Sequence, residues 1–421
     1  MCEMKEPVIR FKGYTDEWEQ RKLGELVNIG DIDHRMPKTV ECGIPYLMTG
    51  DFCGINELNF DGVKHISEED YEQLSRKIKP EKNDILFARY ASVGAVRYVD
   101  FTDKFLISYS CAIIKHGDKI DSKYLYHYLT SDIAQRQIAL EINTGSQANI
   151  GIDSMKNNIL VQMPCVDEQR TVASYLDSLD NLITLHQRKC DDLQEVKKYM
   201  LQKLFPQNGA KIPEIRFAGF IGEWEQRKLR EFASKVTTKN AGMQYTETLT
   251  NSAEQGIISQ RDYFDHDVSN MDNIDGYYIV ENNDFVYNPR ISTSAPVGPV
   301  NRNKLGRTGV MSPLYTVFKT HDVDESYLEW FFKSSHWHQF MYFNGDTGAR
   351  SDRFAIKDAV FFDMPIPTPD IEEQRKVGSF LTEMDNLIAH EQSRCDDLKE
   401  VKKFMLQNMF PRREASPMGE G

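Results

Sequence analysis

The 421-residue chain has no apolar run approaching the ~18 to 20 residues that a membrane-crossing helix needs. Its N-terminus, Met1 to Gln20, carries mixed charge rather than a basic segment leading into an apolar one, so no export signal is expected. Cysteine is sparse: seven residues, at 2, 42, 53, 111, 165, 190 and 395, an odd number without a Cys-x-x-Cys pair. That pattern argues against a disulfide framework or a zinc ribbon and suits a reducing, cytoplasmic setting. Basic charge is also in deficit. With 51 Lys and Arg against 64 Asp and Glu the formal charge is −13, so no global field draws the molecule to nucleic acid. Any DNA contact has to come from local patches or with help from partners. Catalytic signatures are missing as well: there is no phosphate loop, no Gly-x-Gly-x-x-Gly, no Gly-x-Ser-x-Gly elbow and no His-Glu-x-x-His. Asn288-Pro289-Arg290 lacks the second proline and aromatic of an amino-methyltransferase motif, and Asp370, Glu373 and Lys376 have the wrong spacing for a nuclease cluster. His336 and His338 have no third ligand at a telling distance and read better as part of an aromatic-rich surface helix.

What is present is an ordinary globular composition, 40% hydrophobic and 27% charged, with room for two or three domains. It is also a repeat. RFKGYTDEWEQRKLGEL, Arg10 to Leu26, returns as RFAGFIGEWEQRKLREF, Arg216 to Phe232, identical at 11 of 17 positions. A longer block, Glu168 to Pro206, returns as Glu373 to Pro411 with 24 of 39 positions identical. The chain therefore divides into an N-terminal conserved segment (1–26), a variable region (27–167), a long conserved block (168–206), a linker with the repeated short segment (207–232), a second variable region (233–372), a second long block (373–411) and a tail (412–421). The variable regions look like diverged copies: Asn83-Asp84 matches Asn283-Asp284, Tyr124-Leu125 matches Tyr327-Leu328, and Thr144-Gly145 matches Thr347-Gly348.

In the first long block Val172, Leu176, Leu179, Ile183, His186, Cys190, Leu193, Lys197, Met200 and Leu204 follow alternating spacings of four and three. That is a heptad seam. The second block repeats it at Val377, Leu381, Met384, Ile388, Glu391, Cys395, Leu398, Lys402, Met405 and Met409, with polar interruptions at the same two places. Asp370 three residues before Glu373 has capping-box spacing, Asp167 is a candidate cap for the first copy, and Pro206 and Pro411 close the two helices. Thirty-nine helical residues span roughly 58 Å, too long for one helix of a compact globule. Two such rods with matching seams should pair antiparallel about a pseudo-two-fold, with the seam's Lys, His and Glu fixing register. The fold class expected is α+β: two homologous domains, each a twisted sheet with peripheral helices, separated by an antiparallel coiled coil. Asn83 to Phe87, Phe105 to Ile114, Gly276 to Val280 and Tyr315 to Phe318 are the expected strands. Trp18 and Trp224 should anchor each domain to its rod.

Charge inside the variable regions is distributed unevenly. From Phe285 to Lys319 there are five basic residues, Arg290, Arg302, Lys304, Arg307 and Lys319, and no acidic one, interleaved with Ser292, Thr293 and Ser294. The matching stretch of the first half holds Arg89, Tyr90, Ser92, Arg97, Lys104 and Lys115 against Asp100 and Asp103. Near the end of each region come Gln147 with Asn149, and Arg350 with Arg353. Arg and Lys neutralise phosphates, while Arg on guanine and Asn or Gln on adenine give bidentate base readout, so these residue types fit a DNA-reading surface.

Two variable domains, two repeated long helices ending in Phe-Pro, the Glu-Gln-Arg helix starts and the paired EWEQRKL segments together resemble the specificity subunit of type I restriction-modification systems, over nearly the whole chain, Arg10 to Pro411. The resemblance implies two target recognition domains, each reading half of a bipartite, asymmetric double-stranded DNA target about a duplex turn apart. It implies a helical spacer that docks two methyltransferase subunits, with restriction and motor subunits added in the full complex. It also implies no catalytic residue, metal or cofactor in this chain, with S-adenosylmethionine held by the partner methyltransferase. A non-enzymatic scaffold that binds proteins through its two variable domains is the competing reading.

Overall fold

The computed structural model describes residues 6–145, 147–207, 209–263, 271–346 and 352–411. The chain forms two units that do not follow chain order: one takes Met1–Lys189 and Glu391–Gly421, the other Cys190–His390. Each therefore contains one variable region and half of each long helix.

In the first unit a four-stranded antiparallel sheet runs in the order Ile29–Gly30, Cys111–Ile114, Ile85–Ala88, Val96–Tyr98. The second unit repeats that order with Ala233–Lys235, Thr316–Thr320, Phe285–Tyr287 and Val300–Arg302. The central strands are continuous apolar runs because both faces are covered, and Ile85–Ala88 and Phe285–Tyr287 are buried throughout. The matched Asn-Asp pairs are turns leading into these strands. Asn83 and Asn283 sit at φ 72° and 70°, which asparagine tolerates better than most residues. Asp84 and Asp284 each accept a hydrogen bond from the backbone three residues earlier, at 2.7 Å. Burial pushes the Asp284 carboxyl up to about 6. Phe105 to Ile114 is not one strand: Leu106–Ile107 pairs in parallel with Ile44–Leu47 in a separate sheet, and the chain bends at Ser108 to Ser110 before Cys111–Ile114 begins.

The repeated sequence blocks meet at the foot of each rod. Glu19–Lys22 pairs with Leu160–Met163, and Glu225–Lys228 with Pro365–Thr368. Arg10 holds Glu168 through two bonds of 2.8 and 2.9 Å, and Arg216 holds Glu373 at 2.7 and 2.8 Å, where Trp224 Nε1 adds a third donor at 3.0 Å. The next residue clamps a neighbouring helix: Gln169 Oε1 accepts from Asp121 N and Gln374 Oε1 from Asp324 N, both at 2.9 Å. Asp121 and Asp324 in turn cap the helices Ser122–Thr130 and Glu325–Lys333. The rods span Val166–Lys203 and Ile371–Asn408. Asp370 caps the second, bonding Glu373 N at 2.8 Å, whereas Asp167 already lies inside the first turn of the other and is not its cap.

Within the first unit the rods run antiparallel. Lys402 Nζ meets Asp180 at 2.5 Å, Cys395 lies by Ile183 O, and His186 Nδ1 meets Glu391 at 2.6 Å, one index rising as the other falls. Val172, Leu176 and Leu179 share a core with Met409 and Phe410, against which Leu398 and Met405 pack, and Ile183 is buried. Phe410 inserts among Trp18, Tyr124 and Tyr128. Within the second unit Val377 and Leu381 share a core with Leu204 and Phe205, Met200 packs on it, Met384 and Ile388 are buried, and Leu193 is half-buried. Phe205 stands there against Tyr327 and Phe331, as Phe410 does in the other unit. Lys197 pairs with Asp385, the counterpart of Lys402 with Asp180.

Glu391 lies in the seam, 3% exposed, and Lys189 and His186 together hold its carboxyl down at about 2 from an ordinary 4.5. The unfolded chain therefore takes up this proton first, so the pair's stabilisation is complete above about pH 4.5 and is lost as pH falls towards 2. Urea midpoints followed by helix circular dichroism should fall over this window, and Glu391→Gln should lower the midpoint at pH 7 and flatten the fall relative to the parent chain.

Candidate nucleic-acid interface

The end of the central strand in each unit is tied to a segment about 60 residues later. In the first unit Ile150 N donates to Arg89 O at 3.1 Å, and Tyr90 forms a bridge with Asn149. In the second, Phe354 N donates to Pro289 O at 2.7 Å, and Arg290 bridges Arg353. The same connection in both units joins residues that are far apart in sequence. It brings Tyr90 to the segment carrying Gln147 and Asn149, and Arg290 to Arg353, with Ser92 in the first unit and Ser292 and Thr293 in the second following in sequence. Arg350 lies outside the described residues.

These loops hold their shape through local bonds. Ser292 and Ala295 exchange backbone bonds of 3.1 and 3.2 Å, Ser292 Oγ accepts a further bond from Ala295 N at 3.1 Å, and the chain returns at Gly298, φ 83°. A Cβ at Gly298 would stand 2.1 Å from Asn288 O, so only glycine fits this approach. Asn288, first of the Asn-Pro-Arg run, bonds Asn251 O at 2.8 Å and fixes the turn. Asn143 and Asn149 exchange backbone bonds of 2.8 and 3.3 Å, closing the partner segment of the first unit into a loop.

The cations separate into two groups. Arg89 is only 7% exposed; its Nε bonds Ile150 O at 3.0 Å and its Nη1 pairs with Asp31. Arg97 lies over Phe52 and donates to the carbonyls of Glu57, Cys53 and Gly54. Arg302 pairs with the buried Glu329 at 2.9 Å, and Lys304 reaches the same carboxylate at 3.2 Å. Burial raises the Glu329 pKa, but Lys333, Lys304 and Arg302 outweigh it and hold the group ionised. Arg307 forks onto Glu247 at 2.8 and 2.7 Å, and Lys104, Lys115 and Lys319 pair with Glu68, Asp84 and Glu281. Arg290 and Arg353 have no ion-pair partner among the described residues, and Arg290, Ser92, Ser292, Thr293 and Gln147 are exposed.

Charge within a sequence window cannot see partners such as Asp31, Glu247 or Glu329, which lie 25 to 60 residues away. It also misses what the sheet brings to the same edge in the first unit. Asp31 and His34 follow the strand Ile29–Gly30, and Tyr109 precedes Cys111–Ile114. Arg89 N and Tyr90 N both donate to Ser110 O, so this segment adjoins the Tyr90 loop. No motif marks these residues; only the pairing of strands collects them. His336, weighed above as a metal ligand and set aside, packs against Phe205 and bonds Ser334 Oγ.

The model of the type I restriction modification DNA specificity domain matches residues 15–195. The MjaVIII type I restriction enzyme specificity subunit of Methanocaldococcus jannaschii is 23% identical, covering 93% of this chain and 91% of that one. A putative MjaX specificity subunit from the same organism is also 23% identical, over 93% and 92%. Among solved structures, the S subunit of a type I restriction-modification system from M. genitalium shares the fold with TM-score 0.56 at 13% identity, covering 97% of this chain and all of that one. No helix among the described residues is long and apolar enough to cross a membrane. The doubled sheet, the antiparallel seams and these likenesses agree: the chain is similar over nearly its whole length to specificity subunits of type I restriction-modification systems, and its residues 15–195 match the DNA specificity domain of such systems.

Proposed function

We propose that each unit reads one half of a bipartite duplex DNA target. The observation that carries this reading is the recurrent bridge, Tyr90 with Asn149 in one unit and Arg290 with Arg353 in the other, each just past the end of the equivalent strand, Ile85–Ala88 or Phe285–Tyr287. The first edge offers Tyr90, Ser92, Gln147 and Asn149, suited to hydrogen bonding on base edges. The second offers two cations without ion-pair partners among the described residues, Arg290 and Arg353, beside Ser292 and Thr293, with Arg350 three residues before Arg353 in sequence. Unlike edges read unlike half-sites, so the target is asymmetric. Arg89, Arg97, Arg302 and Arg307 support the edges, each being engaged by the protein itself.

The rods supply the partner surface. Leu182, Val401 and Phe404 are exposed in the first unit, and their repeat equivalents Leu387, Val196 and Tyr199 are exposed in the second. One such set per unit fits two copies of one partner, the methyltransferase subunit, which would hold S-adenosylmethionine and deliver the methyl group to adenine. Restriction and motor subunits would join that assembly. A protein-binding scaffold needs these rods equally but gives no reason for the matched polar edges.

Co-expression with the methyltransferase subunit and methylation-aware sequencing of the host DNA should give one asymmetric, gapped motif. Exchanging residues 233–372 for those of a relative should change one half of it only; no motif despite a stable complex would sink the reading. Arg290→Ala and Arg353→Ala should each lower the log–log salt slope of binding by roughly 0.9 if the side chain meets a phosphate. Arg302→Ala should instead destabilise the second unit by roughly 1.5 kcal/mol, the loss of one charge-assisted bond to a carboxylate that Lys304 and Lys333 still hold, and leave the motif unchanged. Urea unfolding separates these outcomes. Leu182→Asp with Val401→Asp should abolish capture of one methyltransferase subunit, read as a change in complex mass by light scattering.

A further inference from the structure

We propose that His34 is a DNA-contacting residue of the first reading edge, held in place by Asp31 and Tyr109. The proposal rests on the DNA-reading assignment of that edge and adds a residue drawn from the other end of the variable region.

The imidazole is built into position although it is exposed. Its ring stacks on Tyr109 with centroids 4.8 Å apart and planes inclined by 22°. Nε2 lies 2.8 Å from Asp31 Oδ2, and the His34 side chain remains 58% exposed. An exposed histidine without such contacts would sample several rotamers; here one face rests on a phenol ring and one nitrogen is tied to a carboxylate. The Asp31 carboxylate is itself anchored, because the buried Arg89 guanidinium binds the same oxygen while bonding Ile150 O. Arg89 also lies by the Tyr90 ring, 5.5 Å from its centroid. One buried arginine thus braces Tyr90, the segment that carries Asn149, and Asp31, through which it orients His34.

The consequence is a preset donor or acceptor. With Nε2–H given to Asp31, Nδ1 is the nitrogen left for a ligand. Among the described residues no hydrogen-bond partner meets it. In neutral imidazole it accepts from a base amine; in the cation it donates to guanine or to a phosphate oxygen. Asp31 thus serves twice, neutralising the buried Arg89 guanidinium and orienting the exposed ring. The second unit builds its edge differently. The residues after Ala233–Lys235 begin with the buried Val236, and no stacked histidine stands there among the described residues.

The test uses the full chain co-expressed with its methyltransferase subunit, and a duplex carrying the methylated motif that the sequencing defines. His34→Ala should weaken binding roughly tenfold, as expected for one lost base or phosphate contact. A salt slope smaller by roughly 0.9 identifies a phosphate contact, and relaxed discrimination in the first unit's half-site at constant slope identifies a base contact; either supports the proposal. Tyr109→Leu, which removes the stacked ring, should also weaken binding, but should add nothing in the His34→Ala background, which a merely structural role for Tyr109 would not produce. Unchanged unfolding midpoints keep folding out of the comparison. If Tyr90→Ala with Asn149→Ala destroys first-half recognition and His34→Ala leaves affinity, slope and selectivity unaltered, the inference is overturned and the DNA reading stands. If neither variant alters binding, the assignment of the edge itself fails.

Discussion

Everything in each unit hangs on a buried carboxylate at the foot of a rod. Glu168 and Glu373 are each 1% exposed, and an ionised group so placed is costly unless its lone pairs are filled. A forked arginine from the short block fills them, Arg10 in one unit and Arg216 in the other. The neighbouring glutamine then fastens the cap of the helix that closes the sheet, Ser122–Thr130 or Glu325–Lys333. Three stretches of chain are thereby fixed to one point: the short segment, the rod and the domain. Because the charge tolerates little displacement from its fork, the junction is directional. A hydrophobic contact of the same area would hold the parts together without specifying their angle.

That junction explains which parts of the sequence have stayed alike in its two halves. The arginine of the short block, the Glu-Gln at the helix start and the closing phenylalanine each make the same contact twice. The seam behaves similarly: Lys197 with Asp385 and Lys402 with Asp180 are one interaction written at two places. Heptad spacing, the Asp370 cap and the repeat order were therefore legible from the sequence, since each depends on neighbours within a few residues or on the repeat itself, whereas the first helix begins at Val166 and leaves Asp167 inside its first turn. The strands were legible where the apolar run was unbroken. Phe105 to Ile114 misled because Ser108 to Ser110 carries the chain from one sheet to another, a change that local propensity does not register.

The reading edge was legible only in part, for a physical reason. Tyr90, Asn149, Arg290 and Arg353 were recognised by type, and the fold brings them together in pairs. Arg89, Arg302 and Arg307 were recognised on the same grounds but are engaged by Asp31, Glu329 and Glu247. Whether a cation is available depends on what the fold sets beside it, and these partners come from other elements. His34 and Tyr109 failed to register for the converse reason: 75 residues separate them, and neither is remarkable until the strands bring the rings together.

The pairing of most cations also bears on how an acidic protein can handle DNA. A formal charge of −13 opposes approach to a polyanion, and the basic residues that seemed to offset it locally are largely neutralised within their own units. Few phosphate contacts then remain for each edge, and affinity that rests on counterion release scales with their number. Such a chain is better suited to choosing a sequence than to gripping a duplex. Low intrinsic grip has a functional advantage: nonspecific binding, which is almost wholly electrostatic, is suppressed more than contacts to base edges. On the proposed reading, the binding strength would be contributed by partners docked on the exposed apolar residues of the rods, while selection would stay with Tyr90, Asn149, Arg290 and Arg353. A division of this kind lets the edges diverge freely, because altering them changes what is read without dismantling the junction that holds the rod.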